Sequence, residues 1–87
     1  DDDDSIAAIR HSIESGSNWI DTAAIYGIGH SEEVVGRAIQ GVPREEALVF
    51  TKCGRVIQEG AARPSGDLRP ATIRRECEAS LKRLGVD

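Results

Sequence analysis

Stretches typical of helices and of strands alternate along this 87-residue chain, and the alternation limits its fold more than any other feature. Strands are predicted over 18–22 (NWIDT) and 47–52 (ALVFTK), where β-branched, aromatic and other apolar residues cluster. The second run is nearly all apolar until its last residue, which is typical of a parallel strand covered on both faces. Parallel strands need helical crossovers, so the pattern predicts an α/β fold with a parallel sheet.

The first two helices are predicted from apolar residues at helical spacing. An isoleucine stripe over 5–15 indicates the first helix, and Asp4, the last acid of the opening DDDD run, is its expected N-cap. Ser31 is the expected cap of the second helix, which ends at Gly41. Gly36 lies inside that helix, where glycine costs about 1 kcal/mol relative to alanine, so close packing is expected there.

The third helix is predicted from Pro70, a favourable first-turn residue, to Leu84, with Cys77 on its buried face. The last two residues, 86–87, are predicted to begin another strand. The element order is then α-β-α-β-α with the next strand just beginning, and two strands with three helices cannot enclose a sheet. Residues 1–87 are therefore expected to form part of a larger α/β domain.

Composition excludes several classes of function. The formal net charge of −4 disfavours nucleic acid or an anionic membrane as a partner. Two cysteines are too few for a disulfide scaffold, and no CxxC or HxxxH spacing predicts a metal site. No long apolar run or signal-peptide pattern is present, so the default expectation is a cytoplasmic protein, and nothing indicates its oligomeric state.

Both predicted strands end in a charged residue, Asp21 in the first and Lys52 in the second. The carboxyl ends of neighbouring parallel strands lie at the same edge, so these opposite charges are expected to pair there. Tyr26, the chain's only tyrosine, follows Asp21 in a loop that reaches the same edge. The three side chains are therefore predicted to converge.

This triplet is suited to proton donation. A phenol with a pKa of about 10 is a poor acid near neutrality, and an adjacent ammonium favours the phenolate. A carboxylate paired with the lysine would orient it, so the tyrosine could protonate a carbonyl oxygen during reduction by hydride. The residue types leave a plainer alternative open, in which Asp21 binds loop N–H groups while Lys52 and Tyr26 lie in solvent.

Three segments together resemble the aldo-keto reductase family, with the greatest likeness to its bacterial NADPH-dependent members. They are WIDTAAIYGIGHSEEVVGRAI, LVFTKCG and IRRECEASLKRLGVD, in the family's order and spacing. The resemblance implies a (β/α)8 TIM barrel, of which 1–87 is an N-terminal portion without the first strand and everything after the third helix. The family's catalytic histidine is expected beyond residue 87.

The resemblance also implies roles for the three converging residues. Tyr26 matches the family's proton donor, and Lys52 matches the lysine that activates it. Asp21 matches the acid that supports the lysine and lies near the nicotinamide ribose of NADPH. The implied reaction is reduction of a small-molecule aldehyde or ketone, and the 87-residue chain alone is expected to bind cofactor weakly and turn over little.

Two other interpretations start from the same residues. One is a non-catalytic NADPH-binding regulatory subunit, because the β subunits of voltage-gated potassium channels resemble the same family. The other treats Gly27-Ile28-Gly29 as a dinucleotide-binding glycine loop, and it is rejected because Glu32 stands where a third glycine is needed. Trp19, which shares a strand side with Asp21, is expected to fill the barrel interior.

Overall fold

The computed structural model describes all of residues 1–87 and has three α-helices and four strands. In chain order these are α1 (Asp2–Glu14), β1 (Trp19–Asp21), α2 (His30–Ile39), β2 (Leu48–Phe50), β3 (Arg55–Val56), β4 (Ser65–Gly66) and α3 (Pro70–Leu84). Short 3₁₀ turns, Tyr26–Gly29 and Arg44–Glu46, precede α2 and β2. The predicted α-β-α-β-α order is confirmed for the three helices and for β1 and β2, and the short strands β3 and β4 lie between β2 and α3 in addition. None of the helices is long and apolar enough to cross a membrane.

The main sheet consists of β1 and β2, which are parallel as predicted. Residues 19–21 pair in register with 48–50. Two further hydrogen bonds carry the pairing past the strand ends, from Thr22 N–H to the Phe50 carbonyl (2.8 Å) and from Ala24 N–H to the Lys52 carbonyl (3.3 Å). The carboxyl ends of both strands therefore lie side by side.

The two faces of this sheet have different surroundings. Ile20 and Val49 turn towards the helices and pack against a core that consists of Val35, Ile39, Ala47 and Leu84. The opposite face carries Trp19, which is 68% exposed and lies with its ring centroid 4.4 Å from that of Phe50. No element of residues 1–87 covers that face, and the placement of Trp19 in the interior of a closed barrel stays a prediction.

Helix α2 packs against both α1 and α3, and its backbone comes close to the end of α3 at Gly36. A Cβ atom at Gly36 would lie 2.5 Å from the carbonyl oxygen of Arg83 and 2.9 Å from that of Leu84. Only glycine allows α2 and the end of α3 this close, so the close packing predicted at Gly36 is confirmed.

The starts of the first two helices differ from prediction. Asp1, not Asp4, caps α1, since its Oδ1 accepts the Asp4 N–H at 2.9 Å. The remaining acids form the first turn, where carboxylates favour the positive end of the helix dipole. Helix α2 has Gly29 at its N-cap with a φ of 93° and no side-chain cap, so the prediction of Ser31 as the cap was wrong.

Three features of residues 53–87 also differ from prediction. Cys77 is exposed, because the buried side of α3 carries the hydroxyls of Thr72 and Ser80, which bond to carboxylates in the interior. Val86 packs against the core, but residues 86–87 form no strand and have no strand partner. The loop after β2 contains a small antiparallel hairpin, β3 with β4, that its Gly and Pro content did not predict.

Replacing Gly36 with alanine tests the packing of α2 on α3. Helix propensity alone would stabilise the variant by about 1 kcal/mol. We expect the clash with the Arg83 and Leu84 carbonyls to dominate and to lower the free energy of unfolding by about 1–3 kcal/mol, as measured by urea denaturation.

Gly66→Ala is the matched control, because a Cβ atom there has nothing within 4 Å. A Gly36→Ala protein as stable as the unsubstituted chain would contradict the close approach of the two helices.

Candidate active site

The structure brings the three predicted site residues together at the carboxyl ends of β1 and β2. Lys52 Nζ donates to Asp21 Oδ1 at 2.6 Å and to the carbonyl oxygen of Thr22 at 2.7 Å. The same ammonium lies 5.2 Å from the centroid of the Tyr26 ring. One cation therefore contacts an acid, a backbone carbonyl and a phenol ring.

Charge and hydrogen bonding hold Lys52 in its ionised form. The hydrogen bond to Asp21 raises the pKa of Lys52, and the charge of Asp21 and the Tyr26 hydroxyl group add to the rise, against a smaller opposing effect of partial desolvation. The side chains of Lys52 and Asp21 are 51% and 70% exposed. Water therefore reaches the site, and the second oxygen of Asp21 is free to accept another hydrogen bond.

The loop that carries Tyr26 has unusual backbone geometry. Gly27 and Ile28 adopt left-handed conformations, with φ of 60° and 53°. A left-handed conformation is strained for a β-branched residue such as Ile28. The side chain of Ile28 is 75% exposed, so its burial does not offset this strain. The turn joins directly to α2, so the first turn of that helix fixes where Tyr26 lies.

A buried carboxylate lies behind the site. Glu32 is fully buried, and its Oε2 accepts the Thr51 hydroxyl at 2.6 Å. Its Oε1 accepts Nε and Nη2 of Arg83 at 2.7 and 2.6 Å. A second bond joins the hydroxyls of Thr22 and Ser31 at 2.7 Å. Both strand ends are thus tied to the start of α2.

Sequence reasoning missed this carboxylate. In the sequence, Glu32 was singled out only as the residue that stands in place of a third glycine, and its neighbour Glu33 is exposed. The available signal was spacing, since Glu32 precedes Val35 and Ile39 at i+3 and i+7 and so shares their buried face. Burial opposes ionisation of Glu32, but hydrogen bonds from Thr51, Ser80 and Arg83 outweigh that effect and lower its pKa below the ordinary 4.5.

A second carboxylate cluster fixes the start of α3. Asp67 accepts the Arg69 guanidinium at 2.7 Å and the hydroxyl of the buried Thr72 at 2.8 Å. These bonds, with that from the Arg69 backbone N–H, lower the pKa of Asp67 far below its usual range. The hydrogen bond from Thr72 to Asp67 is similar to that from Thr51 to Glu32, but it lies at a place with no contact to Lys52.

His30 lies on the surface between α1 and α2. Its Nε2 lies 2.9 Å from Asp2 Oδ1, and Arg37 also contacts Asp2. The DDDD run therefore contributes to helix packing in addition to its place in the first turn. No three His, Cys, Asp or Glu side chains are grouped so as to hold a metal ion.

Comparison with known proteins identifies the family. The family model described as "Aldo/keto reductase family" matches residues 1–87. The chain is 41% identical over 90 residues to the NADH-specific methylglyoxal reductase of Escherichia coli strain K12, covering 94% of the chain and 28% of the relative. The protein belongs to the aldo-keto reductase family, and the sequence spans less than a third of that relative's length.

Solved structures agree with this assignment. The glycerol dehydrogenase AKR11B4 from Gluconobacter oxydans matches at 45% identity and a TM-score of 0.85, over 98% of this chain and 27% of that one. An aldo-keto reductase from Klebsiella pneumoniae in complex with NADPH matches at 39% identity and a TM-score of 0.73, over 94% and 25%. The chain thus has the fold of one part of a (β/α)8 barrel, as predicted.

The Glu32 network predicts a specific dependence of stability on pH. The pKa of Glu32 is lowered on folding, so ionised Glu32 contributes fully to the free energy of unfolding at pH values well above the ordinary pKa of 4.5. This contribution is lost as the pH falls below 4.5 and through the lowered pKa of the folded chain. We expect Glu32→Gln to lower the free energy of unfolding by about 2–3 kcal/mol at neutral pH, with a smaller difference near pH 3. Urea denaturation at both pH values measures this, and a difference independent of pH would contradict the assignment.

Proposed function

We propose that the full-length protein that contains this chain reduces aldehydes or ketones to alcohols with a nicotinamide cofactor, and that Tyr26 is the proton donor. The observation that carries the proposal is the contact of one ammonium, that of Lys52, with both the Asp21 carboxylate and the Tyr26 ring. Membership of the aldo-keto reductase family supports the reaction class.

The geometry supports a role for each of the three residues. A bound nicotinamide cofactor would supply the hydride that reduces the carbonyl carbon. Tyr26 gives its phenolic proton to the carbonyl oxygen, which completes the alcohol and leaves a phenolate. The ammonium of Lys52 stabilises that negative charge, and Asp21 orients the ammonium.

Asp21 is also the proposed cofactor contact of this segment. Its carboxylate uses one oxygen for Lys52 and is 70% exposed, so the other oxygen is available to a ribose hydroxyl. We propose NADPH as the cofactor, in line with the Klebsiella pneumoniae complex, although the Escherichia coli relative is NADH-specific. The substrate class is a small carbonyl compound.

A chimaeric enzyme tests the proposal with this chain's own residues. Residues 1–87 would replace the matching segment of the Escherichia coli methylglyoxal reductase, which supplies the remainder of a barrel. We expect Tyr26→Phe to lower kcat at least ~100-fold, because general acid catalysis contributes about that much, while cofactor Kd changes little.

Lys52→Met should also lower kcat, and Lys82→Met is its matched control, since Lys82 is an exposed lysine of α3. A Tyr26→Phe chimaera that retains full activity would contradict the proposed proton donor. It would mean that another group donates the proton. The alternative of a non-catalytic binding subunit would instead be favoured by an unsubstituted chimaera that binds cofactor but has no measurable kcat. Competition between NADPH and NADH in the same chimaera tests the contribution of this segment to cofactor choice.

A further inference from the structure

We propose that Ser31 and Glu32, two neighbouring residues of the first turn of α2, are positioning residues that keep Lys52 against Asp21 and Tyr26. The inference rests on the proposed function, because it explains how the proposed proton-transfer site is held. It assigns a role to a buried carboxylate that makes no direct contact with Lys52, Asp21 or Tyr26.

On the β2 side, the connection passes through Thr51. This residue directly precedes Lys52, and the two side chains bind on opposite sides of the sheet. The Thr51 hydroxyl donates to Glu32 Oε2 at 2.6 Å, whereas Lys52 Nζ donates to Asp21. Holding Thr51 therefore fixes the backbone from which the lysine side chain extends.

On the β1 side, the connection passes through Thr22, which directly follows Asp21. Thr22 is 1% exposed, its hydroxyl lies 2.7 Å from that of Ser31, and its carbonyl accepts Lys52 Nζ at 2.7 Å. Adjacent residues of α2 thus hold the neighbours of both charged site residues. Tyr26 lies in the turn that ends where α2 begins, so the same helix start restrains the third member.

Arg83 makes Glu32 a rigid anchor. It binds Oε1 through two nitrogens, so the carboxylate cannot rotate away from Thr51. Its stem passes over Gly29, where a Cβ atom would lie 2.9 Å from Arg83 Cδ. A side chain at position 29 would therefore displace Arg83, and the φ of 93° there also favours glycine. The anchor connects α2, β2 and α3.

The sequence offers a direct readout of where Lys52 lies. The chain has one tyrosine and two lysines, Lys52 and Lys82. The Tyr26 ring current shifts the NMR signals of the Lys52 CεH₂ group, which lies next to the ammonium 5.2 Å from the ring centroid. The Lys82→Met variant assigns the two lysine signals at neutral pH. The Tyr26→Leu variant gives the chemical shift of the Lys52 CεH₂ group in the absence of the ring.

We expect Thr51→Val in the 87-residue chain to remove at least half of the Tyr26-dependent shift of Lys52, because the hydroxyl anchor is lost while the side-chain volume is kept. Thr51→Ser, which retains the hydroxyl, should restore it. Glu32→Gln should act in the same direction. In the chimaera, Thr51→Val should lower kcat several-fold with little change in KM.

Thr72→Val is the matched control, since it removes the equivalent hydrogen bond from a buried threonine to Asp67. Thr72→Val should lower the free energy of unfolding to a similar extent as Thr51→Val and leave the chemical shift of Lys52 unchanged. Circular dichroism establishes that each variant is folded, and Thr51→Val is the decisive one if Glu32→Gln unfolds the chain.

Two results would overturn the inference in distinguishable ways. If Tyr26→Leu moves the Lys52 signal but Thr51→Val does not, the positioning role is wrong and the proposed function stands. If Tyr26→Leu leaves the Lys52 signal unchanged, the lysine does not lie beside the ring, and the proposed proton-donor site fails together with its anchor.

Discussion

The ion pair of Glu32 with Arg83 is the interaction on which the rest of the structure depends. A buried carboxylate is costly unless it is paired and its lone pairs are satisfied. Arg83, Thr51 and Ser80 satisfy both oxygens, and no buried side-chain polar atom lacks a partner. These partners come from α3 and from the end of β2, so satisfying one carboxylate places both against α2.

Polar anchors matter here because the apolar core is small. Four apolar residues form the buried cluster, and only one face of the β1–β2 sheet packs against it. Burial of apolar area is not directional, so a small core leaves the orientation of each element loosely specified. The hydrogen bonds from Thr22 and Thr51 to the start of α2 fix the orientation of the strand ends relative to that helix. The candidate site lies at these strand ends.

The sequence predicts the features that follow from local periodicity and topology. Alternating helix and strand patterns determine the element order, and parallel pairing brings Asp21 and Lys52 to one edge. The close packing at Gly36 was also predicted, but other features that arise from long-range contacts were missed or wrong. Cys77 fits an apolar helical stripe, yet α3 turns its hydroxyls inward because Asp67 and Glu32 need donors. Glu32 itself resembles an ordinary first-turn acid until its partner 51 positions away is known.

The relatives indicate what this segment contributes to a whole barrel. A methylglyoxal reductase that is NADH-specific and a glycerol dehydrogenase are 41% and 45% identical to the same chain. Proteins with different substrates in their names thus share this segment, which is compatible with the proposed role in proton transfer. The side chains of Asp21 and Lys52 are exposed to solvent, whereas Thr22, which follows Asp21, and Glu32, which binds Thr51, are buried. Such an arrangement lets the open face vary without moving the proposed proton donor.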